Sequence, residues 1–500
     1  MMIMRKGVSL FVLLVLVAGL AAPSHRILAQ TSGGAKPADT LDERIRRVEN
    51  GLLGPVLIKG ETAMPMKLED RMKKYNVPGV SVAVINNGAI EWSRSYGVAE
   101  AGTDRKVALG TLFQAASVSK PVAALGILRL VREGKLKLDE DVNAQLKSWK
   151  VPENEFTRDK KVTLRGILSH TAGLTVWGFP GYAAGKELPT VPGILDGKPP
   201  ANTAAVRVDK AIGEPWRYSG GGFTVAQLLA EDVTGKAFPA LMAEKVLKPA
   251  GMTQSTYEQP LPERLAPVAA TGHRSDGKKI EGKWFVHPEM AAAGLWTTPI
   301  DIAKFAIELQ REFAGKSKRI LDSKLAREML TAQPGGWGLG IALEGTGSSA
   351  RFSHGGSNQG FRCMFVAYTQ TGQGAVVMTN SDSGSELANE LLRSIAKEYN
   401  WPDYLPKEKI IAQVDPAVYD SYAGEYQLTP TATFKIVRRE NKLIAQTGDG
   451  EEMELLPESE TDFFIRSSGA RVSFSRDGEG RVAGFTYRAG SIQLPAKKIR

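Results

Sequence analysis

The chain opens on an apolar run from Val8 to Ala22, with Arg5 and Lys6 before it and Pro23 and small residues up to Ala29 after it. That order predicts a cleavable secretory leader at 1–29, because the run falls short of the roughly 20 residues a membrane span requires. An uncleaved N-terminal anchor is the alternative. Residues 30–60 then hold a small-residue linker, Thr31 to Asp39, and a charged stretch from Leu41 to Leu53 that reads as a short helix.

From 61 to 400 the pattern is mixed. A helix near Met66 to Tyr75 precedes Val80, Val82 and Val84 in alternation, a turn at Asn86-Asn87-Gly88, and a second alternating run from Ile90 to Val98, which together predict a β-hairpin. Helical spacing follows from Ser117 to Glu133, Val225 to Val233, Phe238 to Leu247 and Pro299 to Glu312. Strands are predicted at Trp337 to Leu343, Arg362 to Tyr368 and Ala375 to Thr379, and a helix from Glu386 to Tyr399. Strands at both ends with helices between imply a layered α/β (α+β) domain whose sheet pairs early and late segments.

Prolines at 402, 406 and 416 mark a linker at 401–414. Beyond it, in 415–500, short runs at Glu425 to Leu428, Thr433 to Val437, Lys442 to Gln446, Asp462 to Ile465, Arg471 to Phe474 and Val482 to Tyr487 alternate with turns. Such spacing predicts a small all-β barrel or sandwich.

Composition changes this picture little. Hydrophobic residues at 42% and charged residues at 24% suit a folded chain, and the formal charge of +10 is spread among acidic residues rather than clustered. No nucleic-acid partner and no stable membrane insertion after leader cleavage are therefore expected. Cys363 is the only cysteine, read as a buried strand residue, and the five histidines show no metal-binding spacing. No cofactor or metal is expected.

Three segments carry candidate chemistry. Ser117 and Lys120 stand three residues apart at the start of a predicted helix, so one helical face presents an amine beside a hydroxyl, the arrangement acyl-serine hydrolases use. The spacing alone is not specific, since Ser275 with Lys278 and Ser394 with Lys397 repeat it, both read as surface positions. Tyr218 lies in Arg217-Tyr218-Ser219-Gly220 before another helix, and His354-Gly355-Gly356-Ser357 precedes a strand. No Gly-x-Ser-x-Gly elbow is present, which speaks against an α/β-hydrolase.

With these three segments in this order, the chain resembles the family of class C β-lactamases, D-alanyl-D-alanine carboxypeptidases, D-aminopeptidases and related esterases. Ile167 to Leu174, Val233 to Lys236, Lys248 to Met252, Ala292 to Leu295 and Trp337 to Gly340 add to the likeness, over roughly Met66 to Tyr399. The tail, opening Tyr422-Ala423-Gly424-Glu425-Tyr426, resembles the lipocalin-like accessory domain of some members. The resemblance implies a β-lactamase/transpeptidase-like fold, Ser117 as nucleophile, Lys120 and Tyr218 as proton carriers with either as the base, and an oxyanion hole from the N–H groups of Ser117 and Ser357. It also implies that His354, Gly355 and Gly356 line the substrate site, and that His170 holds a turn beside it.

Two departures bear on substrate. Gly220 stands where many members carry the Asn of Tyr-x-Asn, and His354, with an ordinary imidazole pKa near 6.5, stands where β-lactamases and carboxypeptidases keep a Lys. Both favour an esterase or peptidase acting on small acyl or D-amino-acid-containing substrates, and the leader makes the expected location periplasmic or secreted. The alternatives are a carboxypeptidase, a weak β-lactamase, or a non-catalytic envelope binding protein of the same fold.

Overall fold

The computed structural model describes residues 39–500 except 63, 214, 215, 430, 431, 449, 451, 490 and 491. The expected leader lies outside the described residues. Two helices, α1 (Leu41–Glu49) and α2 (Leu68–Lys74), lead into strands β1 (Gly79–Asn86) and β2 (Ala89–Gly97). Asn87 and Gly88 between them both have positive φ, the geometry that lets a two-residue turn follow the twist of its strands.

Helices α3 (Ser119–Arg132), α4 (Gly220–Thr234), the short α5 (Met290–Ala293) and α6 (Pro299–Phe313) come next. The chain then returns to strands β3 (Ala342–Glu344), β4 (Arg351–Asn358), β5 (Phe361–Tyr368) and β6 (Gly374–Thr379), and finishes this region with α7 (Gly384–Glu398). The six strands form one antiparallel sheet in the order β2-β1-β6-β5-β4-β3, so the early hairpin joins the late strands as the pattern predicts.

Both faces of β1 are buried. Val80, Val82 and Val84 join a cluster with Leu387, Leu391 and Ile395 of α7, while Ala83 and Ile85 join the larger cluster that holds Ile302, Phe305 and Leu309 of α6. The result is helix, sheet and helix in three layers. Helix α6 begins sharply because the Thr298 side chain accepts from Asp301 N–H and Pro299 occupies the first turn.

Two expectations for this region need correction, and one strand went unpredicted. Trp337 to Ile341 is not strand: Gly340 takes φ +85, its N–H donates to Leu168 O, and the segment curls over α3, where a Cβ on Gly340 would meet that of Ala124 at 2.5 Å. His354 to Ser357 is strand β4, because Arg351 to Asn358 pairs fully with β5. Ser394 is buried and donates to Val48 O while Lys397 is exposed, so that pair never meets.

Eight strands, from Gly424–Thr429 to Ile492–Lys498, each antiparallel to its neighbours in sequence, close a barrel in the tail. Six were predicted. Glu452–Pro457 and Ile492–Lys498 hid behind glutamates in the first and Pro495 with two lysines in the second. The interior holds Tyr422, Tyr426, Phe463, Phe474 and Phe485, with neighbouring ring centroids 4.1–6.0 Å apart, so it is a packed core rather than a ligand cup.

A short parallel strand pair joins the barrel region to the rest of the chain. Val56–Ile58 pairs in parallel with Lys407–Lys409, and Val56 and Ile58 pack on Phe464, which is fully buried. Arg466 with Glu61, and Lys409 with Glu458, flank the contact. Phe464→Ala should cost about 3–5 kcal/mol, the usual range for emptying a buried phenylalanine site. Differential scanning calorimetry should then resolve a separate, earlier barrel transition; an unchanged single transition would show that Phe464 is not the joint.

Candidate functional site

The start of α3 is built to present a hydroxyl. A single turn of 3-10 helix, Ala116–Val118, precedes it, and Ala116 takes φ +50, an unfavourable conformation for a residue with a Cβ. Ser117 emerges partly exposed from this turn, whereas Ser119 is buried, accepting from Leu295 N–H and fixed by the Tyr257 hydroxyl on its carbonyl. The tight turn thus separates the two serines.

Lys120 is 1% exposed, and its Nζ donates to Ser117 Oγ at 3.0 Å and to Ala292 O at 2.9 Å. Burial without a counter-ion pushes the amine down to about 7. Its Nζ lies 4.8 Å from the centroid of the Tyr218 ring. Burial drives the Tyr218 phenol above its usual range, opposed by a hydrogen bond with Ser117. Of the two proton carriers the sequence left open, only the amine changes charge near neutral pH.

His170 fixes Tyr218 from both sides. Its carbonyl accepts from Arg217 N–H and its Nδ1 accepts from Ser219 N–H, while its ring packs 4.4 Å from the tyrosine ring. This bears out its reading as a turn-holding residue; its φ of +62 is set by that bracket.

Strand β4 forms the other wall. A Cβ on Gly356 would lie 2.1 Å from Ala115 O, so only glycine lets the strand approach the Ser117 turn this closely. His354 is 4% exposed, its Nδ1 is 2.7 Å from Gly355 O, and burial together with the Lys120 charge pushes its pKa down to about 3. The imidazole is therefore neutral more firmly than its ordinary value implies. At Gly220, an added Cβ would already stand 3.1 Å from Trp177 O and 3.2 Å from the Phe179 ring. The place an Asn side chain would take is filled.

Ser117, Tyr218, His354, Gly355, Gly356 and Ser357 share one cavity of about 350 Å³, so the expected site residues come together. No barrel residue lines it among the described residues. A larger groove of about 850 Å³ beside Lys67, Met72 and Tyr96 holds no serine, cysteine or histidine.

Sequence reasoning missed several residues here. Trp177 and Trp337 add indole walls to the cavity, and Trp337 packs on His354 at 5.4 Å. Gln227, on α4, is fully buried: its Nε2 donates to Pro288 O and its Oε1 accepts from Ala291 N–H. That clamp ties α5, which carries the Ala292 carbonyl, and the loop before it to the helix that follows Tyr218. Its signal was a lone glutamine on an otherwise apolar helix face.

Known proteins resemble this chain in sequence and in fold. A penicillin-binding protein of Bacillus subtilis (strain 168) is 24% identical over 452 residues, 84% of this chain and 94% of the relative. Esterase EstB of Burkholderia gladioli is 30% identical over 207 residues, 40% of this chain and 52% of the relative. Among solved structures, the octameric penicillin-binding protein homologue from Pyrococcus abyssi superposes with a TM-score of 0.57 at 18% identity, covering 86% of this chain and 98% of that one. D-amino acid amidase from Ochrobactrum anthropi SV3 does so with 0.53 at 24% identity, covering 66% and 96%. A domain of unknown function (DUF3471) matches residues 408–497. The Beta-lactamase family model matches residues 66–399, two thirds of the chain, and the protein belongs to that family of serine hydrolases.

Proposed function

We propose that the protein is an exported serine hydrolase that works through an acyl-enzyme on Ser117, acting as an esterase or peptidase on small acyl or D-amino-acid-containing substrates. One observation carries the mechanism: a buried amine held at about 7 stands 3.0 Å from the Ser117 hydroxyl. Lys120 takes the hydroxyl proton as Oγ bonds to the substrate carbonyl carbon. Tyr218, which stays protonated, hands a proton to the departing alkoxide or amine and is reprotonated from Lys120. Water then attacks the acyl carbon, gives its proton to the same pair, and releases the acid and the free serine. The N–H groups of Ser117 and Ser357 are the proposed donors to the oxyanion.

The neutral His354 supports neutral substrates over carboxylate-bearing ones, and Gly220 offers no side-chain amide to an acylamide group. Export rests on the apolar N-terminal run alone. The likeness to esterase EstB and to D-amino acid amidase supports ester or amide hydrolysis without choosing between them.

A fluorophosphonate probe should label Ser117 and leave Ser119, Ser275 and Ser394 untouched, as read by peptide mass spectrometry; an adduct on one of the others ends the proposal. Ser117→Ala should lower ester hydrolysis by at least about a thousandfold. With a neutral ester, kcat/KM should fall roughly tenfold per pH unit below an apparent pKa of about 7, because the base must be unprotonated. A profile flat from pH 5 to 8 would remove Lys120 from that role.

Neutral nitrophenyl esters should outrun nitrocefin and D-Ala-D-Ala peptides, and lowering the pH to 5 should not favour the anionic substrates, since His354 stays uncharged there. His354→Lys should shift the preference toward anions by up to about tenfold, one charge-assisted hydrogen bond at a partly hydrated site. A wild-type preference for the carboxylates would overturn this substrate reading.

A further inference from the structure

The His354 ring lines the cleft and carries a lone pair that no protein group among the described residues uses. Gly355 O can only accept, so the 2.7 Å contact makes Nδ1 the protonated nitrogen and leaves Nε2 as an acceptor. Nε2 is buried, has no hydrogen-bond partner, and belongs to a side chain that lines the same cavity as Ser117. A buried polar atom left without a partner is costly, and a ligand that supplies the missing donor recovers that cost on binding.

The rest of the cleft narrows what that donor is. Trp177, Tyr218 and Trp337 surround the position with rings. Arg362, the one Arg or Lys side chain that lines the cavity among the described residues, is held by Asp382 at 3.0 Å and by the carbonyls of Asn358 and Phe361. A carboxylate finds no unpaired Arg or Lys among the described cavity-lining side chains and would meet the Nε2 lone pair. An ammonium group would stand close to the Lys120 amine, whose charge already acts on His354.

We infer that the cleft selects substrates bearing a neutral hydroxyl or amide N–H donor beside the scissile carbonyl, with His354 Nε2 as the specificity-determining acceptor. This rests on the serine-hydrolase reading above. Neutrality of the ring at pH 7 follows from its burial and keeps the lone pair available.

The test uses the full-length protein and matched esters. On the acyl side, nitrophenyl hydroxyacetate is compared with nitrophenyl methoxyacetate; on the alcohol side, 2-hydroxyethyl acetate with 2-methoxyethyl acetate. Each kcat/KM is divided by the hydroxide-catalysed rate of the same ester, and nitrophenyl acetate serves as the plain substrate. The hydroxyl member of at least one pair should be preferred by about five- to tenfold, the range of a single net hydrogen bond. His354→Leu should bring that ratio to about one, and His354→Gln, whose amide oxygen can accept, should restore part of it. If nitrophenyl acetate is turned over but neither wild-type pair shows a preference, the acceptor inference fails and the hydrolase reading stands. If nitrophenyl acetate is not turned over at all, both fail together. The wild-type ratios decide the matter even where a His354 variant does not fold.

Discussion

Everything about the site turns on keeping one amine out of water. Lys120 is almost wholly enclosed, with the rings of Tyr218 and Phe223 within 6 Å and no carboxylate beside it. An amine held at about 7 instead of 10.5 costs folding on the order of 4 kcal/mol at neutral pH. The sign is that of a cation lost on folding: between 10.5 and 7 the unfolded chain binds a proton that the folded chain refuses, so the cost grows as pH falls through that window and is constant below it. Three packed layers and two large apolar clusters supply the surplus that makes such a residue tolerable.

The main elements were legible because their periodicity is local. Alternation around Asn87-Gly88 marked the hairpin, and the apolar run after Ser117 marked α3, since each pattern lies within one short stretch of chain. Trp337 to Ile341 misled because its alternation of large residues and glycine looks like a strand, but Gly340 serves close approach to α3 and Gly338 close approach to the Met329 carbonyl. Strand β4 was obscured by Gly355 and Gly356, residues poor in strand propensity, of which Gly356 lets the strand reach the Ser117 turn.

The candidate site was legible in its side chains and not in its main chain. Ser117, Lys120, Tyr218 and His354 announce themselves by residue type and order. The Ala292 carbonyl, the φ of Ala116 and the tautomer of His354 have no letter of their own, because each is set by packing between segments more than a hundred residues apart or by backbone geometry. His354 also shows how a reference pKa misleads: the sequence permits a partly charged ring, while burial beside Lys120 removes that option.

Gln227 makes a different kind of demand on the sequence. Both its hydrogen bonds go to main-chain groups, at Pro288 O and Ala291 N–H, so it recognises the path of that loop and not the side chains along it. The side chains of Ala291, Ala292 and Ala293 are themselves buried, so this segment is constrained in its packing as well as in its path. None of them lines the cavity, whose indole walls come from Trp177 and Trp337. The carbonyl that orients the lysine amine therefore belongs to a different segment from the walls that meet substrate, and a change in a wall residue leaves that hydrogen bond in place.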